Sequence, residues 1–114
     1  MVITHELHEA NSQAYSGVSI TEDVSAYLRY FFPSITDTIL ARVLALYPES
    51  DYTSPGLRFA DMKQHFDLTA HNLALTQAMD NGTWNALVAL DQATHGTDQA
   101  YYCKYASFER GLCY

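Results

Sequence analysis

The sequence predicts an α/β chain: a strand, three helices and a second strand in the order βαααβ, then an irregular C-terminal tail. Three observations predict it. A short run rich in β-branched residues, Met1-Val2-Ile3-Thr4, opens the chain and breaks at once into polar residues. Three stretches between Thr21 and Asp80 repeat apolar residues at helical spacing, each with start and stop signals. An apolar run, Thr83 to Leu90, then precedes a polar segment and reads as a buried strand.

Each element has its own warrant. His5 to Ser19 is polar and contains Ser and Gly, so it reads as a loop. Thr21-Glu22-Asp23 starts the first helix, with acidic side chains where the helix dipole favours them. Val24, Tyr27, Leu28, Phe31 and Phe32 keep its stripe, and Pro33 stops it. Ser34-Ile35-Thr36-Asp37 resembles a capping box and opens the second helix. Ile35, Ile39, Leu40, Val43, Leu44 and Tyr47 form its apolar face, and Pro48 closes it. Glu49 to Thr53 is a polar connection. Ser54-Pro55 pairs a cap residue with proline at the first helical position, a second strong start signal. Phe59, Met62, Phe66, Thr69 and Leu73 carry the third helix onward, with Gly56 as a point where it could break and Asn81-Gly82 as its stop. From Asp91 the chain reads as loop, and Tyr101 to Tyr114 is aromatic-rich without a period. Two strands alone leave unpaired edges, which predicts either a larger parent fold or self-association.

Composition narrows the function classes. With 114 residues and 48% hydrophobic content the chain can bury a core. The net charge of -7, with 6 Lys+Arg, argues against a nucleic-acid surface or an anionic membrane as partner. No apolar run reaches the length of a membrane span. Met1-Val2-Ile3-Thr4-His5-Glu6 lacks the basic-then-apolar pattern of a signal peptide. Cys103 and Cys113 could close one short loop, but without a multi-cysteine framework the favoured reading is two free thiols. Asn81-Gly82-Thr83 fits the glycosylation triplet, a pattern that also arises by chance.

Three groups of residues could carry chemistry. Thr4-His5-Glu6-Leu7-His8-Glu9 holds two histidines and two carboxylates. Zinc-protease histidines stand four apart on a helix, and these stand three apart beside a strand end, so no metal site is assigned. The second group is Glu9 with His95. Each follows a predicted strand, and functional groups in α/β sheets gather at the carboxyl ends of strands. A histidine there can shuttle protons near neutral pH. A nucleophile elbow, G-x-S-x-G, is the third feature sought. The nearest approach, Gly17-Val18-Ser19-Ile20-Thr21, lacks the second glycine.

These residues resemble a family. Thr4-His5-Glu6-Leu7-His8-Glu9-Ala10 is similar to the G-H-N-x-N-E-G of fungal type B carboxylesterases and lipases, which are cholinesterase-like α/β-hydrolases. Thr21 to Pro33 looks like the segment that follows, and Leu46-Tyr47-Pro48 matches an L-Y-P. His95-Gly96-Thr97-Asp98 with Tyr101 or Tyr102 resembles H-G-x-D-x-x-Y. The resemblance covers roughly Val2 to Tyr105 and makes residues 1–105 the C-terminal part of a carboxylesterase domain, a partial α/β-hydrolase fold, with 106–114 an unassigned tail. It implies a Ser-His-Glu mechanism on carboxylic esters in which His95 is the catalytic base and Glu9 the triad acid, with no cofactor and no metal. The family is typically secreted. The departures are Thr4 and Ala10 in place of glycines, His71 near a position where relatives carry a disulfide cysteine, and the missing serine elbow. The chain alone is therefore expected to lack esterase activity, with ester substrate a partner only once the missing part completes the site. The competing reading is a non-enzymatic interaction module that offers an apolar helical face.

Overall fold

The computed structural model describes residues 1–89 and 93–97. Strand β1 (Val2–Glu6) and strand β2 (Trp84–Val88) pair in parallel, Val2 opposite Trp84 and Glu6 opposite Val88. Between them run helix α1 (Thr21–Phe31), helix α2 (Asp37–Leu46), a 3-10 turn at Glu49–Asp51, helix α3 (Pro55–Gln64) and helix α4 (Ala70–Ala78). The last two are one helical rod joined by a π turn at His65–Thr69, so the described residues hold two parallel strands and three helices. This is the βαααβ order, which by itself does not distinguish one α/β fold from another.

Local chemistry accounts for most boundaries. Ser54 caps α3 by accepting from the Leu57 N–H at 3.2 Å. The helix does not break at Gly56. That residue is buried because a Cβ there would lie 3.0 Å from the Val18 carbonyl and from the Ala14 Cβ, where the loop before α1 presses onto the rod. At α1 the N-cap is Ile20, which has no side-chain acceptor. Asp23 compensates, its Oδ2 accepting from the Ser19 and Ile20 N–H groups at 2.8 and 3.0 Å. Those two bonds hold its carboxyl below the usual carboxylate range.

Other boundaries move. The cap of α2 is Thr36, not Ser34, accepting from the Ile39 N–H at 3.3 Å, and Asp37 instead pairs with Arg29 at 2.5 Å. The third helix stops at Met79–Gly82 as expected. The left-handed residues there are Asp80 (φ 51°) and Asn81 (φ 59°), both types that tolerate that region. Expected as a buried strand, β2 is open instead, with Trp84 79% and Leu87 51% exposed.

The core lies in the helical layer. Phe59, Met62, Leu28, Val24, Leu40 and Val18 are buried together. Tyr15, Tyr27, Phe31 and Phe66 surround Phe59 with ring centroids 5.0–6.3 Å away, tilted or edge-on as ring quadrupoles prefer. Arg58, also buried, donates to the Tyr47 carbonyl at 2.8 Å and the Leu44 carbonyl at 3.2 Å, and so satisfies the end of α2. Beyond the π turn the apolar stripe faces solvent, and Leu73 is exposed. No described helix is long and apolar enough to cross a membrane.

Candidate functional site

The two strands end side by side, and the segments that leave them stay together. The Leu7 N–H donates to the Val88 carbonyl at 2.9 Å, and the His8 N–H to the Ala93 carbonyl at 2.8 Å. His8 and Thr94 form a further parallel bridge. The carboxyl ends of β1 and β2 therefore place Glu9 and His95 next to each other across 86 residues of sequence. His95 Nδ1 lies 2.5 Å from Glu9 Oε2.

Backbone geometry on the histidine side is specific. The Thr97 N–H donates to the Thr94 carbonyl at 2.9 Å and closes a turn with His95 and Gly96 at its centre. Gly96 has φ 84°, the value a type II turn requires at its third residue and glycine adopts without strain. Ala93 is also left-handed, at φ 48°, and buried. For a residue with a Cβ that conformation is strained, and here the His8 N–H and the surrounding packing hold it. Ala10, where the resembled family carries glycine, is not left-handed, so a Cβ there meets no backbone objection.

The acid side is clamped twice. Glu9 turns its second oxygen, Oε1, back onto the Glu6 N–H at 2.9 Å. The rod then holds the loop. Gln64 Oε1 accepts from the Ala10 N–H at 3.0 Å, and Gln64 Nε2 donates to the Leu7 carbonyl at 3.1 Å. Asp61 accepts from Asn11 Nδ2 at 2.6 Å and from the Tyr52 hydroxyl at 2.7 Å. Burial pushes the Tyr52 phenol well above its ordinary value, and its hydrogen bond to Asp61 and that carboxylate's charge push it further. Asn11 Oδ1 also meets His8 Nδ1 at 3.1 Å.

Compared with models of known families, with curated proteins and with solved structures, the chain finds no match.

The pair's chemistry follows from its geometry. A carboxylate on Nδ1 favours the tautomer with the proton there, which leaves the Nε2 lone pair free to accept a proton. The Glu9 side chain is 11% exposed and the His95 side chain 82% exposed. The acid is thus sheltered while the base is open to a second group. The other expectations resolve residue by residue. His5 lies on β1, and its Nδ1 finds no partner among the described residues. His8 faces Asn11 and Glu9 faces His95, and among the described residues no three His, Asp or Glu side chains gather to hold a metal ion. Ser19 precedes α1 from a loop, without the strand that directly leads into an elbow. His71 Nδ1 donates to the Asp67 carbonyl at 2.7 Å. Asn81 is exposed in the turn before β2. Asp98, Tyr101, Tyr102, Cys103 and Cys113 lie outside the described residues.

Sequence reading missed Gln64, Asp61, Asn11 and Tyr52. Nothing in their spacing marks them, because each acts on a loop some 40 to 60 positions away or on another member of the set.

Proposed function

We propose that this chain carries the acid and base of a serine carboxylesterase triad, as the C-terminal part of a type B carboxylesterase-like hydrolase. The supporting observation is the His95 Nδ1 to Glu9 Oε2 contact at 2.5 Å, formed at the adjacent carboxyl ends of two parallel strands. In that role His95 Nε2 takes the proton of a serine hydroxyl as it attacks an ester carbonyl, then returns it to the leaving alcohol. Glu9 fixes the tautomer and stabilises the imidazolium. The nucleophile and the oxyanion donors would come from residues outside this sequence, and without them catalysis falls to background.

Two measurements test this. Purified chain is expected to leave p-nitrophenyl butyrate at the buffer rate; turnover that disappears in His95→Ala would refute the claim that the nucleophile is missing. Reading the transcript upstream of the Met1 codon is expected to reveal an in-frame G-x-S-x-G segment. An in-frame stop codon immediately upstream would overturn the hydrolase-part reading.

A second reading, a helical interaction module, is favoured by an open apolar groove of ≈ 560 Å³ between α1 and α2, lined by Phe31, Phe32, Ile35, Ile39 and Val43. Gel filtration with thermal unfolding separates the two. An interaction module is a monomer with one cooperative transition, whereas a part of a larger sheet self-associates through its open strands.

A further inference from the structure

Gln64 is one of the buried polar side chains among the described residues, and its place needs a reason. It is 6% exposed, on the last turn of α3, among residues that otherwise build an apolar core. A glutamine in such a place is costly unless both ends of its amide are satisfied. Both are, by the main chain of one loop. The carbonyl end takes the Ala10 N–H and the amide end gives to the Leu7 carbonyl, so the side chain bridges the loop on either side of Glu9. That loop has no regular structure of its own; its main chain bonds to the β2 side through the Leu7 and His8 N–H groups, and Glu9 Oε1 reaches back to the Glu6 N–H of β1.

We infer that Gln64 is the positioning residue of the Glu9–His95 pair: its amide spans residues 7 to 10 and sets where the Glu9 carboxylate presents itself to His95 Nδ1. The inference rests on reading those two residues as an acid–base pair. The residue type is determined by the task. Both a donor and an acceptor are needed, about one amide width apart. A glutamate of the same length keeps the acceptor for Ala10 but turns a second oxygen against the Leu7 carbonyl. A methionine keeps the volume and loses both bonds. Asparagine is one methylene shorter. Gln64 also precedes the π turn, and a π turn inside a helix commonly marks a residue re-aimed for a purpose. Gln64 faces the loop while Phe59 and Met62 of the same helix face the core, and the rod takes a new phase only beyond it.

The test reads the tautomer of His95 in the full chain by long-range nitrogen–proton correlation, near pH 8.5, about two units above the ordinary imidazole value. The unmodified chain is expected to show the proton on Nδ1. Gln64→Met is expected to lose that preference and move toward the mixture that a free imidazole shows, while the aromatic resonances of the Phe59 cluster stay dispersed. Exchange of the Ala10 amide proton should rise at least about tenfold. Gln64→Glu is expected to move His95 in the same direction and decides the matter if Gln64→Met does not fold. Glu9→Ala separates the layers. If it abolishes the Nδ1 proton while both Gln64 variants keep it, Gln64 is only a structural residue and the inference is overturned. If Glu9→Ala leaves the tautomer unchanged, the acid–base pair itself is refuted. A residue that merely stabilised the fold would leave the tautomer of folded molecules untouched.

Discussion

Replacing Phe59 with alanine should remove a large share of the chain's stability. The ring is fully buried, and four aromatic rings surround it at 5.0–6.3 Å. Buried Phe→Ala changes cost about 3–5 kcal/mol, and tilted ring pairs put this site toward the upper end. A chain of this length has about 6–17 kcal/mol in total. The open sheet contributes little to that, so the lower half of the range applies and Phe59→Ala consumes about half of it. With an m-value of about 1.5 kcal/mol/M, the urea midpoint should fall by about 2–3 M. Phe32→Ala is the control. That ring is 41% exposed and has one ring neighbour, Phe66, so its loss should cost about 1 kcal/mol and move the midpoint by less than about 1 M. Far-UV circular dichroism across a urea series reads both. Equal shifts for the two variants, or a Phe59→Ala cost under about 1 kcal/mol, would refute the placement of the core in the helical layer.

Three further outcomes follow from single side chains. The Asp23 carboxyl is held low by two backbone N–H groups, so its contribution is present above its unfolded value near pH 4 and is lost as pH falls through the lower folded value. Asp23→Asn should therefore flatten the acid side of the stability profile, and a profile superimposable on that of the unmodified chain would count against the cap. The Tyr52 phenol is raised, so its contribution is full below about pH 10 and disappears as pH rises above that. Tyr52→Phe should cost about 1–2 kcal/mol at neutral pH and soften the alkaline fall, leaving the part due to Tyr47, which burial also raises. Arg58→Met strips the Leu44 and Tyr47 carbonyls of their donor and should cost about 1–3 kcal/mol in thermal or urea unfolding, whereas Glu49→Ala should cost less than about 1 kcal/mol, since that carboxylate is exposed, 4.0 Å from the guanidinium, and loses with it an exposed hydrogen bond from the Thr21 hydroxyl.

Signals that act within one turn of chain were legible in the sequence. Ser54-Pro55 starts a helix as the two residues suggest, because a cap and a fixed φ need only their own neighbours. Pro33 and Pro48 bound helices for the same reason. The nearness of Glu9 and His95 was suggested by order, each being a polar residue just past a predicted strand, and by the resemblance of the two segments; order alone left His95 as an ordinary loop residue. What was missed depends on distant partners. Ile20 is a poor cap on its own, and Asp23 rescues it from inside the helix. The cap of α2 falls at Thr36 because Asp37 is drawn to Arg29, eight residues earlier. The apolar run of β2 promised burial. Its strand forms, but among the described residues β1 alone pairs with it and most of its side chains are exposed. Periodicity reports what a strand could bury, not what is there to cover it.

The support for Glu9 and His95 is unequal, and the inequality says which element matters most. Each strand has five residues, and a lone two-stranded sheet is marginal in water. The histidine's turn is held by its own Thr97-to-Thr94 bond, a left-handed Gly96, and one ladder bond to it from His8 at Ala93. The acid's loop is held by α3, through Gln64 and through Asp61 with Asn11. That same helix carries Phe59 and Met62 in the core. Among the described residues, the helix that carries the core therefore also holds the Glu9 loop, and Glu9 in turn meets His95. Fraying of the sheet edge would displace His95 before Glu9. Adding strands beside β1 and β2 would then act chiefly on His95, while Glu9 is in place beforehand.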